Sequence, residues 1–169
     1  GKFTAQLVQV AQFLLEIGQI SVVTVHKTLL GDVDGGLAGV VDLAEDRAAD
    51  KGILFSSRVG EEVPDELGGD VTLLRKVLVN LLDNAVKFTR KGPIDLEETG
   101  VVDQPRWVRF SVEDSGIGVP ADRMDVIFQP FTQADSSISR NFGGSGLGLA
   151  LCHKFVSHMG GSLEVESRE

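Results

Sequence analysis

The sequence predicts an α/β (α+β) sandwich, on the strength of three observations. Helical and strand patterns interleave irregularly along the chain, which favours a sheet with helices packed against it over a doubly wound sheet. The segment 71–88 carries the strongest helical pattern and a continuous apolar stripe. With 42% hydrophobic and 24% charged residues in 169, the chain amounts to about one domain and can bury a real core.

Taken in order, residues 3–20 place Leu7, Val10, Ala11, Leu14, Leu15 and Ile17 at helical spacing. Ser21 to Val25 is rich in β-branched residues and begins a strand or an extended link. Gly31, Gly35, Gly36 and Gly39, with Asp32 and Asp34 among them, mark a linker and set a boundary near residue 34. A helix is expected over 40–51, from Val40, Leu43, Ala44, Arg47 and Ala48, and Gly52 ends it. Ile53-Leu54-Phe55 opens a short strand towards Arg58. After the long helix, Arg90-Lys91-Gly92-Pro93 sets basic residues at its negative end and then breaks it. Residues 94–98 read as a strand and 99–105 as a hairpin loop. Residues 107–113 alternate cleanly, as a strand with one buried face does. A short helix over 122–128, a serine-rich loop over 133–141, a helix ending at Gly160-Gly161 and a strand over 162–166 complete the reading.

The net charge of −9 argues against a general nucleic-acid binder, which needs a basic patch to displace counterions. A single cysteine, Cys152, excludes an intramolecular disulfide framework and a cysteine-built zinc site; in its apolar run it reads as a buried structural thiol. His26, His153 and His158 lack metal-ligand spacing. No run of eighteen apolar residues and no signal-peptide pattern occurs.

Three polar features remain. Gly143, Gly144, Gly146 and Gly148 fall within six residues and lead into a helix; the run fits a phosphate cradle or a glycine-rich loop capping a helix. On the long helix, Leu74, Val77, Leu78, Leu81, Ala85 and Phe88 form the core stripe, while Asn80, Asn84 and Lys87 share its flank at i, i+4 and i+7. Amide oxygens are hard ligands suited to Mg²⁺, and a lysine one turn on can neutralise a phosphate; the plain alternative is a solvated flank. Third, Asp114-Ser115-Gly116-Ile117-Gly118 follows a strand. Alone it reads as a strand-ending turn with Asp as an Asx cap. Its loose dinucleotide-type spacing fails on context, because Pro120 falls inside the turn and no acidic residue ends a following strand.

Together these segments resemble the catalytic, ATP-binding domain of histidine protein kinases. The stretch Asn80-Leu81-Leu82-Asp83-Asn84-Ala85-Val86-Lys87-Phe88-Thr89 is similar to the family's N box, and Asp114-Ser115-Gly116-Ile117-Gly118 to its first glycine box. Phe128-Gln129-Pro130-Phe131 is similar to the F box and Gly144-Ser145-Gly146-Leu147-Gly148-Leu149 to the second glycine box, in family order across residues 40–166. The resemblance implies the Bergerat fold: a two-layer sandwich with a mixed sheet on about three helices, here behind an N-terminal helical remnant.

It also implies roles. Asp114 accepts from the adenine amino group, and Gly116 and Gly118 give the ring room. Asn80 and Asn84 hold Mg²⁺ and Lys87 meets the phosphates. Gly144, Gly146, Leu147 and Gly148 offer backbone N–H groups to the phosphates. Residues 132–143 form a lid hinged at Phe128 and Phe131. The implied activity is transfer of the ATP γ-phosphoryl group to a histidine on a dimerisation domain absent from this chain, so the chain is not expected to phosphorylate itself. The implied partners are ATP, that phosphoacceptor domain and a response-regulator receiver domain, in the cytoplasm, with no nucleic acid and no membrane contact by this segment. Residues 131–141 also resemble hybrid kinases.

The departures matter as well. His26 is followed by Lys27-Thr28-Leu29-Leu30 rather than the acceptor pattern, and Leu73 and Lys76 replace the family's arginine and glutamine. Residues 1–34 are therefore expected as a truncated dimerisation helix and linker, and 35–169 as the catalytic domain without its last strand. An ATPase of the same fold is the alternative, weakened because Asn80 occupies the position of its glutamate base; a degenerate module acting only through partner contacts is another.

Overall fold

A computed structural model describes residues 19–26, 34–63, 70–101, 104–130 and 146–167. Five strands, β1 (Gln19–His26), β2 (Leu54–Val59), β3 (Pro93–Val101), β4 (Gln104–Asp114) and β5 (Ser162–Ser167), form one sheet in the order β2-β3-β4-β1-β5. β2 and β3 pair in parallel and the other neighbours are antiparallel, so the sheet is mixed. Among the described residues three helices, α1 (Asp34–Asp50), α2 (Val71–Phe88) and α3 (Gly148–His158), pack on it to make the expected two-layer sandwich.

α2 forms where the periodicity puts it. Asp70 caps it, its Oδ1 accepting from Leu73 N at 3.0 Å, which satisfies one of the helix's unpaired N–H groups. Leu74, Val77, Leu78, Leu81, Leu82, Ala85 and Val86 are buried. Phe88, expected on the core stripe, is only half-buried at the helix end. In β4, Val108, Phe110 and Val112 point inward as the alternation requires, and β4 is the middle strand of the sheet.

Other expectations change, among them the hairpin loop over 99–105, of which 99–101 lie in β3 and 104–105 in β4. Residues 21–25, read as the start of a strand or an extended link and grouped ahead of a boundary at 34, lie in a strand over 19–26 that pairs with β4 on one side and β5 on the other. That strand belongs to the same sheet as the rest; residues 1–18 and 27–33 lie outside the described residues. α1 begins at Asp34 rather than at 40, so Gly35, Gly36 and Gly39 are helical. Glycine costs a helix about 1 kcal/mol per residue relative to alanine. Burial of Leu37, Val40, Ala44 and Ala48 on one face offsets that cost, and a Cβ at Gly39 would stand 3.2 Å from the Arg75 guanidinium of α2. Over 122–128 only a 3₁₀ turn (Ala121–Arg123) forms and turns follow, because Ile127 alone in that span is buried enough to anchor it.

Leu78 is 1% exposed at the centre of this packing. Leu78→Ala should lower the unfolding free energy by about 2–5 kcal/mol, measured by urea denaturation; a loss under about 1 kcal/mol would contradict the packing.

Candidate functional site

The flank of α2 carries the first part of the site. Asn80, Asn84 and Lys87 are each half-buried, and Asn84 Nδ2 donates to Asn80 Oδ1 at 3.3 Å, so the two amides face each other across one helical turn. The Lys87 ammonium stands 4.8 Å from the centroid of the Phe88 ring.

α3 meets this flank end-on. A Cβ added to Gly148 would lie 2.5 Å from Asn80 Nδ2 and 2.8 Å from Oδ1, so only glycine lets the helix start this close to the amide. Gly146 has φ +67°, which turns the chain into α3. Leu147 at the N-cap makes no side-chain capping bond. With no capping side chain among the described residues, the first N–H groups of α3 stand beside Asn80, an arrangement suited to an anion.

The other end of the site is at the C-terminus of α2. Asp114 continues the inward file of Val108, Phe110 and Val112, and is 7% exposed. Its Oδ1 accepts from Gly116 N at 2.8 Å, the local Asx turn read from the sequence. A Cβ on Gly116 would stand 2.6 Å from that oxygen and 3.1 Å from the Phe88 carbonyl oxygen, so Gly116 is wedged between Asp114 and the end of α2. Gly118 takes φ +67°. Burial pushes the Asp114 carboxyl up to about 6, and the Gly116 bond pulls weakly the other way.

Phe128 packs against the core, its ring 5.4 Å from that of His153 on α3. Cys152 is 2% exposed, and burial pushes its thiol up to about 12, as a structural cysteine requires. Phe131, Gly144 and the expected lid over 132–143 lie outside the described residues. Among the described residues no cluster of His, Cys, Asp and Glu could hold a metal, and no helix is long and apolar enough to cross a membrane.

Two residues escaped the sequence reading. The Thr89 hydroxyl is fully buried with no hydrogen-bond partner among the described residues. Lys51, on the turn after α1, reaches the backbone at the end of α2. The Lys51 contacts span more than thirty residues and leave no local pattern in the sequence.

Asp114 binds protons more readily folded than unfolded between its ordinary 3.8 and about 6. Folding therefore loses stability as the pH rises through that window. Asp114→Asn keeps an acceptor for Gly116 and removes the buried charge. At pH 8 it should be more stable than the wild type by on the order of 1–3 kcal/mol, the two converging as the pH falls towards 4. Thermal unfolding at both pH values checks this; a wild type as stable as the variant at pH 8 would contradict it.

Residues 69–169, more than half of the chain, match the family model described as histidine kinase-, DNA gyrase B-, and HSP90-like ATPase. The chain is 45% identical over 132 residues to the hybrid signal transduction protein dokA of Dictyostelium discoideum, which covers 76% of this chain and 8% of that protein. It is 35% identical over 156 residues to the signal transduction histidine-protein kinase BarA of Escherichia coli (strain K12), covering 91% of this chain and 17% of BarA. The chain thus spans less than a fifth of the length of these relatives. Full-length ShkA in complex with AMPPNP superposes with a TM-score of 0.63 at 36% identity, over 78% of this chain and 26% of ShkA. The α2 flank, the buried aspartate and the glycine turn before α3 lie in a chain that belongs to the histidine kinase-, DNA gyrase B- and HSP90-like ATPase family, as an ATP-binding catalytic domain of the histidine-kinase kind.

Proposed function

We propose that this domain binds ATP with Mg²⁺ and passes the γ-phosphoryl group to a histidine on a dimerisation domain, within a cytoplasmic relay that continues to a response-regulator receiver domain. The observation that carries this reading is the approach of Gly148 to the Asn80 amide. It sets the start of α3, a place for phosphate, against the Asn80 amide, whose oxygen accepts from Asn84 Nδ2 one turn on.

The residue types fit a Mg²⁺ ion that keeps phosphates and water as its other ligands, since Asn80 and Asn84 carry hard amide oxygens and stand within contact of each other; binding the ion would replace the present bond from Asn84 Nδ2 to Asn80 Oδ1. When bound, the ion would neutralise charge on the phosphate oxygens. The chain's own residues do the rest. Asp114 accepts from the adenine amino group, and the space kept by Gly116 and Gly118 admits the ring. Lys87 meets the phosphates. Gly144, Gly146, Leu147 and Gly148 present N–H groups to them, and Phe128 and Phe131 hinge the lid. Positioning and charge neutralisation are most of what phosphoryl transfer asks of a protein.

Transfer is favoured over hydrolysis because Asn80 is an amide that cannot deprotonate water, and Asp83, the carboxylate between the two asparagines, pairs with Arg47 of α1. The acceptor histidine and the receiver lie on other parts of the signalling system.

Calorimetric titration of ATP with and without Mg²⁺ tests the reading. Asn84→Ala should remove the metal dependence and weaken ATP roughly tenfold, the effect of losing about one strong contact to a charged group. An Asn84→Ala chain with wild-type, Mg²⁺-dependent affinity would overturn the assignment.

A further inference from the structure

The functional reading sets a polyanion beside the last two turns of α2, where Asn84 and Lys87 stand. That is the unfavourable end of a helix for negative charge, because its unpaired carbonyls amount to about half an electron charge. Thr89 N already serves Ala85 O at 3.0 Å, which leaves the carbonyls after Ala85 exposed in this respect.

Lys51 meets that deficit. Its ammonium donates to the carbonyl oxygens of Val86, of Lys87 at 3.3 Å and of Thr89 at 3.2 Å. The backbone that delivers it is locked: Lys51 N donates to Ala48 O, Gly52 N to Ala49 O and Ile53 N to Ala48 O, with Gly52 at φ +68°. Ala48 is fully buried and Ile53 nearly so, which anchors the turn in the core on both sides. The remaining carbonyl of the group, that of Phe88, is the one against which Gly116 is wedged. The three carbonyls that Lys51 holds therefore bracket the Lys87 backbone and the seam between α2 and the Asp114 turn.

We propose that Lys51 is a positioning residue for the triphosphate, cancelling the negative end of α2 and fixing Lys87 without touching the ligand. This rests on the functional reading above. The effect is electrostatic, so although the Asp114 turn is nearby it acts on the charged phosphates and spares the uncharged nucleoside.

The test compares Lys51→Met, Lys51→Gln and Lys51→Arg with the wild type, reading Mg·ATP and adenosine affinities by calorimetry alongside thermal unfolding. Lys51→Met and Lys51→Gln should weaken ATP about five- to tenfold and change adenosine less than about twofold, while Lys51→Arg stays near the wild type. Lys51→Gln keeps an N–H donor for the helix end, so it carries the comparison if Lys51→Met does not fold. Unchanged ATP affinity with reduced thermal stability would make Lys51 a plain helix cap and overturn the proposal. Equal losses for ATP and adenosine, or no rescue by arginine, would overturn it too. Asn84→Ala separates the two failures: if it binds ATP normally the functional reading fails, whereas an impaired Asn84→Ala beside a silent Lys51 series overturns only this inference.

Discussion

Burying Leu74, Val77, Leu78, Leu81 and Ala85 leaves α2 a single rotation about its own axis, because an apolar stripe on an 18-residue helix meets the sheet in one way. With that rotation set, Asn80, Asn84 and Lys87 fall at the edge of the buried face, half-shielded from water and aligned. α3 then packs against α2 with Cys152 Sγ 3.8 Å from the Val77 carbonyl, which brings the start of α3 to Asn80. The sheet supplies the rest: Asp114 ends the inward file of the central strand, opposite Gln19 on β1 and Ile94 on β3. One packing decision thus positions groups drawn from three distant stretches of chain.

The same region holds the features that oppose folding. Asp114 is a carboxylate in a place where burial disfavours its charge. Among the described residues the Thr89 hydroxyl is buried without a partner and α3 starts without a side-chain cap. Each is a group that a ligand donor or acceptor could satisfy, and local destabilisation of this kind gathers where binding restores it. Lys51 works in the opposite sense, quieting the end of α2 from outside the site.

What could be read in the sequence follows physical range. α2 was legible to the residue, because a 3.6-residue period sustained over eighteen positions is hard to mistake and Asp70 marks its start. Strand β4 was legible from its alternation. Extending that alternation two residues past Val112 also places Asp114 on the inward face, a signal that the local Asx-turn reading passed over. The glycines before residue 40 read as a linker because composition carries no knowledge of the crossing with Arg75 that makes Gly39 useful inside a helix. The strand at 19–26 was half-legible: its β-branched run read as a strand or an extended link, while its place in the sheet was not readable, since its partners lie more than eighty residues away. The Bergerat assignment succeeded because four boxes in order constrain a fold far more than any one of them.

The central claim is that the α2 flank, the Asp114 turn and the start of α3 form one nucleotide site. The most direct measurement is a nuclear magnetic resonance titration of the isotope-labelled chain with AMPPNP and Mg²⁺. The side-chain amides of Asn80 and Asn84 and the backbone amides of Gly116, Gly118, Gly146 and Gly148 should shift together along one binding curve. Shifts confined to the strand positions Asp95, Glu97 and Glu113, with those amides unmoved, would contradict it.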